Sequence, residues 1–179
     1  MRRCRSLWPV LAAFCLSAPL TGGASAQEQA TLPGGASSLR ETYDDWIVSC
    51  VQKEGKHCLL QHRQNQQNGQ RILAIEVVAG ADGKTATGTL VMPFGLVLDA
   101  GVSLQVDEKP AEAPLRFNTC LPAGCVVPLN FDGTFLAVLR TGTTLKMMAK
   151  AVNTNEEISL SAPLKGFSAA FDRVTTLMK

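Results

Sequence analysis

The chain has 179 residues, with 17 basic and 15 acidic side chains and a formal net charge of +2. Three of the Arg stand within the first five residues, so without residues 1–26 the balance is 14 to 15, a net −1. A nearly neutral chain offers no electrostatic footprint for nucleic acid or for anionic lipid.

Residues 1–26 read as a secretory signal peptide. Arg2, Arg3 and Arg5 form a positive start, residues 7–20 an apolar stretch broken by Pro9 and Pro19, and Ala24-Ser25-Ala26 a cleavage site. The apolar stretch is shorter than the about 20 residues that span a bilayer. Gln27 would open the mature chain, whose 153 residues fit one domain with a sizeable core. No transmembrane segment is expected after cleavage. Cys4 and Cys15 leave with the signal, and Cys50, Cys58, Cys120 and Cys125 remain. An even count in an exported chain implies disulfides, and four cysteines admit three connectivities. Each neighbouring pair brackets a turn-like segment, so Cys50–Cys58 and Cys120–Cys125 are the expected bridges.

Residues 27–42 are rich in Ala, Gly, Ser and Gln and read as a flexible leader before a single domain at 43–179. From Tyr43 the dominant period is two. Trp46, Val48 and Cys50 share one face of a strand after Asp44-Asp45, and Cys58, Leu60 and His62 continue on a partner. Residues 71–78 predict a third strand. Residues 87–94 predict a fourth, with Leu90, Met92 and Phe94 on one side. Val102/Leu104/Val106, Leu115/Phe117/Thr119, Leu145/Met147/Ala149 and Ile158/Leu160/Ala162 alternate in the same way. Asn68-Gly69 and Asp82-Gly83 are turn dipeptides, and residues 93–101 form an exit and reversal. Asp132 would cap a short helix through Phe135, Leu136 and Leu139, ended by Gly142. Ser168 would cap a last helix through Phe171, Val174 and Leu177. Short strands with Gly, Pro, Asn and Asp between them indicate a mainly β sandwich or barrel.

Few residues propose chemistry. Cys50, His57, Cys58 and His62 contain zinc-ligand types, but their spacing fits no standard finger and an oxidising compartment pairs the cysteines. Cys120-Leu-Pro-Ala-Gly-Cys125 has four intervening residues where a redox motif has two, so it reads as a pinned turn. Asp44-Asp45 and Glu156-Glu157 are adjacent and point to opposite faces of a strand, so neither makes a facing acid pair. No nucleophile elbow, phosphate loop, dinucleotide fingerprint or His-Glu-x-x-His is present. Residues 61–70, with five Gln and two Asn, read as a solvated hairpin tip, and Trp46 as a core residue. No catalytic, cofactor or metal residue is assigned.

The ordered motifs resemble the invasion associated locus B family of exported Gram-negative bacterial proteins. They are Asp45-Trp46-x-Val48-x-Cys50 with Cys58, then Pro93-x-Gly95-x-x-Leu98-x-x-Gly101-Val102, Phe117-x-x-Cys120-x-x-x-Gly124-Cys125 and Leu164-x-Gly166-Phe167-x-x-Ala170. The resemblance implies an immunoglobulin-like antiparallel β-sandwich with one or two short helices. It implies a periplasmic location, outer-membrane associated or secreted, and no known enzyme activity. Founding members are associated with invasion of host cells. The expected role is therefore a non-catalytic module that meets a protein partner in the envelope or on a host cell. The alternatives are an envelope-maintenance factor and, behind it, a hydrolase built on scattered acids.

Overall fold

The computed structural model describes residues 31–69 and 71–179. The signal peptide expected at 1–26 lies outside the described residues.

The first strand among the described residues is one that the sequence did not announce. β1 (Ser38–Tyr43) turns through Asp44-Asp45 into β2 (Trp46–Gln52). Asp44 takes a left-handed φ of 48° in that turn, a conformation Asp tolerates better than most residues. The flexible-leader reading of 27–42 therefore fails for its described part. Residues 38–42 lie in a ladder, and Leu32 is buried in the core. Its polar composition misled because β1 is an edge strand, whose outward Ser38, Arg40 and Thr42 face water.

β3 (Lys56–Asn65), β4 (Arg71–Ala79) and β5 (Ala86–Met92) follow as an antiparallel meander. The turn before β5 is fixed by the Asp82 carboxylate, which accepts from the Lys84 and Thr85 backbone N–H groups. β6 (Ser103–Val106) belongs to a second sheet. β7 (Thr119–Leu121) and β8 (Gly124–Phe131) return as a hairpin to the first. Helix α1 (Gly133–Thr141) leads to β9 (Thr144–Lys150) and β10 (Glu157–Pro163), and helix α2 (Phe167–Met178) ends the chain. The large sheet runs β1-β2-β3-β4-β5-β8-β7 and the small one β10-β9-β6, with every named pair antiparallel. Among the described residues the protein is thus mainly β, with two α-helices and two local disulfides, Cys50–Cys58 and Cys120–Cys125.

One hydrophobic core joins both sheets and both helices. Trp46, Val48, Cys50, Cys58, Leu60, Ile75, Val77, Leu90 and Met92 supply the large sheet's inner face, and Leu104, Val106, Leu145 and Met147 the small one's. The buried stripe of α2, Phe167, Ala170, Phe171, Val174 and Leu177, closes over β1 to β4. Phe167 stands edge-on to Trp46 at 4.9 Å, and the Trp46 indole N–H donates to the Pro163 carbonyl at 2.9 Å. That bond satisfies the one polar atom of a fully buried ring.

Four differences from the expected elements have local causes. Pro93 ends β5 at Met92, opposite Cys125, so Phe94 leaves the inner face and stands 57% exposed. Residues 115–119 form no strand of their own. Leu115 makes a single bridge to Val102, and pairing resumes only at Thr119, where Pro110 and Pro114 no longer interrupt. β8 was hidden by Pro128, which a strand interior disfavours; β7 stops at Thr119 opposite Val126, two residues short of it. Finally, α2 is capped by Gly166 rather than Ser168, which lies inside the helix, whereas Asp132 caps α1 as expected, accepting from Phe135 N–H at 2.7 Å.

Candidate interaction surface

The residues that proposed chemistry turn out to hold structure. Cys50 and Cys58 face each other across β2 and β3 and are joined as a disulfide, so neither sulfur is a thiolate ligand. His57 is exposed, whereas His62, five residues along the same strand, points into the core. His62 Nδ1 lies 2.7 Å from the Asp45 carbonyl, and its Nε2 lies 3.0 Å from Gln64 Nε2, which donates to the Ser161 carbonyl at 2.7 Å. Carbonyls only accept, so His62 donates from Nδ1 to the Asp45 carbonyl and the Gln64 amide donates to its Nε2. Gln64 thereby ties β3 to β10, and Gln61 is buried with its amide on Ser49 Oγ. The solvated-tip reading of 61–70 therefore fails at its first four residues. They lie in a strand whose neighbours offer polar partners.

Asp44 pairs with Lys165 at 3.0 Å, and Glu156 and Glu157 are exposed. Among the described residues no group of three or more His, Cys, Asp or Glu is placed to hold a metal ion. The sharpest charge cluster was not legible in sequence, because its partners lie 132 residues apart. Arg173 on α2 grips Glu41 on β1 with two bonds of 2.7 Å, and Tyr43 donates to the same carboxylate at 2.9 Å. The Arg173 bonds hold the Glu41 carboxyl below the usual carboxylate range. Burial, then the bond to Glu41, raises the Tyr43 phenol. This arrangement clamps β1 to α2.

Three surface features remain, the last a smaller apolar recess of about 220 Å³ lined by exposed Val51, Val78 and Met178. A groove of about 570 Å³ runs between residues 109–115 and α1, floored by Leu104, Val106, Phe131, Phe135 and Val138. Lys109, Glu112 and Asp132 line its rim with both signs of charge.

The second feature is an apolar end face. Phe94, Leu98, Leu121 and Val152 are 57%, 42%, 52% and 56% exposed. They stand on neighbouring segments at one end of the sheets. Phe94 lines a recess of about 370 Å³ with Arg71, Pro93, Pro122, Ala123 and Gly124. Val152 N–H donates to the Gly95 carbonyl at 2.8 Å, and Leu96 bridges to Ala151. Leu98 lines a smaller recess with Phe117 and Thr119, at the foot of the hairpin carrying Leu121. The frame is stiff, because Cys120–Cys125 closes the hairpin behind Pro122-Ala123. Gly124, at φ 133°, packs so closely on the Met92 carbonyl that a Cβ would collide with it. Sequence reasoning placed Phe94 on the same side of a strand as Leu90 and Met92 and passed over Leu121. The legible signals were Phe94 between Pro93 and Gly95, where no ladder continues, and a Leu within a disulfide-closed turn.

Comparison with known proteins gives a consistent picture. The family described as "Invasion associated locus B (IalB) protein" matches residues 46–175. An invasion protein B homolog of Brucella abortus (strain 2308) is 45% identical over 152 residues, covering 84% of this chain and 87% of that protein. Invasion protein B of Bartonella bacilliformis is 38% identical over 153 residues, covering 84% and 82%. The crystal structure of invasion associated protein B from Bartonella henselae superposes with a TM-score of 0.72 at 35% identity, covering 78% of this chain and 97% of that one.

Proposed function

The chain belongs to the invasion associated locus B family, and from that premise we propose that it is a non-catalytic exported envelope protein supporting host-cell invasion through protein–protein contact at its apolar end face. The observation that carries the reading is the set of exposed Phe94, Leu98, Leu121 and Val152 on loops held by a disulfide and by cross-sheet bonds. Exposed apolar clusters on a rigid frame are where binding energy concentrates, because little ordering entropy opposes contact there. Export is supported by the signal-like residues 1–26 and by two disulfides, which persist in oxidising compartments. No helix among the described residues is long and apolar enough to cross a membrane.

The test is complementation of a deletion strain. Wild-type protein should restore invasion of cultured host cells, and the double variant Phe94→Ser/Leu121→Ser should not, although it folds and accumulates normally. A deletion that leaves invasion intact but sensitises cells to detergent without host cells would instead make the protein an envelope-maintenance factor.

A further inference from the structure

Arg71 opens β4 opposite Asn65, at the same end as Phe94. It is half-buried, and its Nε is shielded from solvent with no hydrogen-bond partner. None of the ion pairs among the described residues involves its guanidinium. The other arginines behave differently. Arg63, Arg140 and Arg173 each hold a carboxylate at 2.6 or 2.7 Å, and Arg40 and Arg116 are exposed to water. A permanent guanidinium cation that has no carboxylate partner within the described chain and lines an apolar recess is costly to leave unpaired, so its Nη groups, which are not sealed off as Nε is, call for a partner from outside the chain. The walls around it, Pro93, Phe94, Pro122 and Ala123, are apolar and leave space of about 370 Å³. An anion entering that recess would meet a planar two-donor fork in a partly water-excluded setting, where charge-assisted bonds are strongest.

Resting on the interaction reading above, we propose that the Arg71 recess binds a carboxylate side chain of a partner protein, flanked by an apolar residue that packs on Phe94. Charge selects this ligand over an anionic membrane. Residues 27–179 carry a net −1, the Leu98 recess sets Asp99 against Arg116 with no excess of positive charge, and Glu156 accompanies the turn that carries Val152. Bilayer docking needs several cations on one face, whereas a single carboxylate needs one fork.

The experiment is an NMR titration of the ¹⁵N-labelled, disulfide-bonded protein, read at the Arg71 Nε–H and at the Phe94 and Ala123 amides. The probes are N-acetyl-Phe-Glu-amide, its Gln counterpart, inorganic phosphate, and vesicles of equal parts phosphatidylcholine and phosphatidylglycerol. The Glu peptide should shift all three signals saturably. The Gln peptide should bind at least about tenfold more weakly, through loss of the charge-assisted pair. Arg71→Gln should abolish the Glu preference, and Arg71→Lys should keep part of it. If Arg71→Gln does not fold, the Glu-to-Gln contrast on the wild-type protein decides alone. The assignment is overturned by no saturable shift with the Glu peptide, by equal binding of the two peptides, or by a stronger response to phosphate or to vesicles. The failure of the broader reading looks different. If Phe94→Ser/Leu121→Ser loses invasion while Arg71→Gln retains it, the end face stands and the carboxylate site falls. If both variants invade normally, the end face itself falls.

Discussion

Gly166 occupies a position no side chain fits. Its φ is 87°, and a Cβ there would run into the Tyr43 carbonyl at the end of β1. The contact seats the start of α2 against the β1–β2 turn, where Asp45 N–H also reaches the Lys165 carbonyl. Gly166→Ala should therefore cost at least about 2 kcal/mol, from backbone strain and collision together, read as a lowered urea midpoint. The Glu41–Arg173 pair gives a second residue-level expectation. The native Glu41 pKa is lowered by the Arg173 bonds, so its stabilisation is complete above about pH 4.5, the ordinary value for the unfolded chain, and is lost as pH falls through the native one. Glu41→Gln should flatten that acid limb of the stability curve. A double-mutant cycle with Arg173→Gln should give a coupling on the order of 1 kcal/mol for this part-buried, bidentate pair.

At the scale of elements, the disulfides and caps set separable contributions. Replacing Cys120 and Cys125 by Ser should cost about 2 kcal/mol in the chain-entropy view, because the closed loop is short, and should loosen the Leu121 hairpin without unfolding the sheet. Asp132→Ala should cost about 1 kcal/mol by removing the α1 cap. Calorimetry of each variant checks both. Elements with a local signal were legible in sequence. β2, β6, β9 and β10 alternate cleanly, β3 shows it at Cys58, Leu60 and His62, β4 is an apolar, β-branched run, and α1 carries its Asp132 cap and Gly142 end. Those that depend on a partner were not. β1 is polar because it is an edge, and β8 tolerates Pro128 beyond the end of β7. Residues 115–119 alternate but find only one bridge. The end face was illegible for the same reason. Phe94 continues the alternation of Leu90 and Met92, and only the ladder's stop at Pro93 turns it outward.

Across the whole molecule, the chain's two described ends close on each other. β1 forms one edge of the large sheet, and α2 packs over it through Arg173–Glu41 and the Gly166–Tyr43 contact. Removing residues 31–43 should therefore destabilise the protein by more than about 3 kcal/mol, through loss of Leu32 burial, a strand and the ion pair, rather than trimming an inert leader. The opposite design holds at the Phe94 end, where apolar side chains remain outside a core that is already closed. The most direct measurement places a photo-crosslinking residue at position 94 of the exported protein in intact cells, with exposed Thr87 at the far end of β5 as control. A discrete protein adduct from position 94 and none from position 87 is expected. No adduct at position 94, or the same adducts from both positions, would contradict the end face as the working surface of this protein.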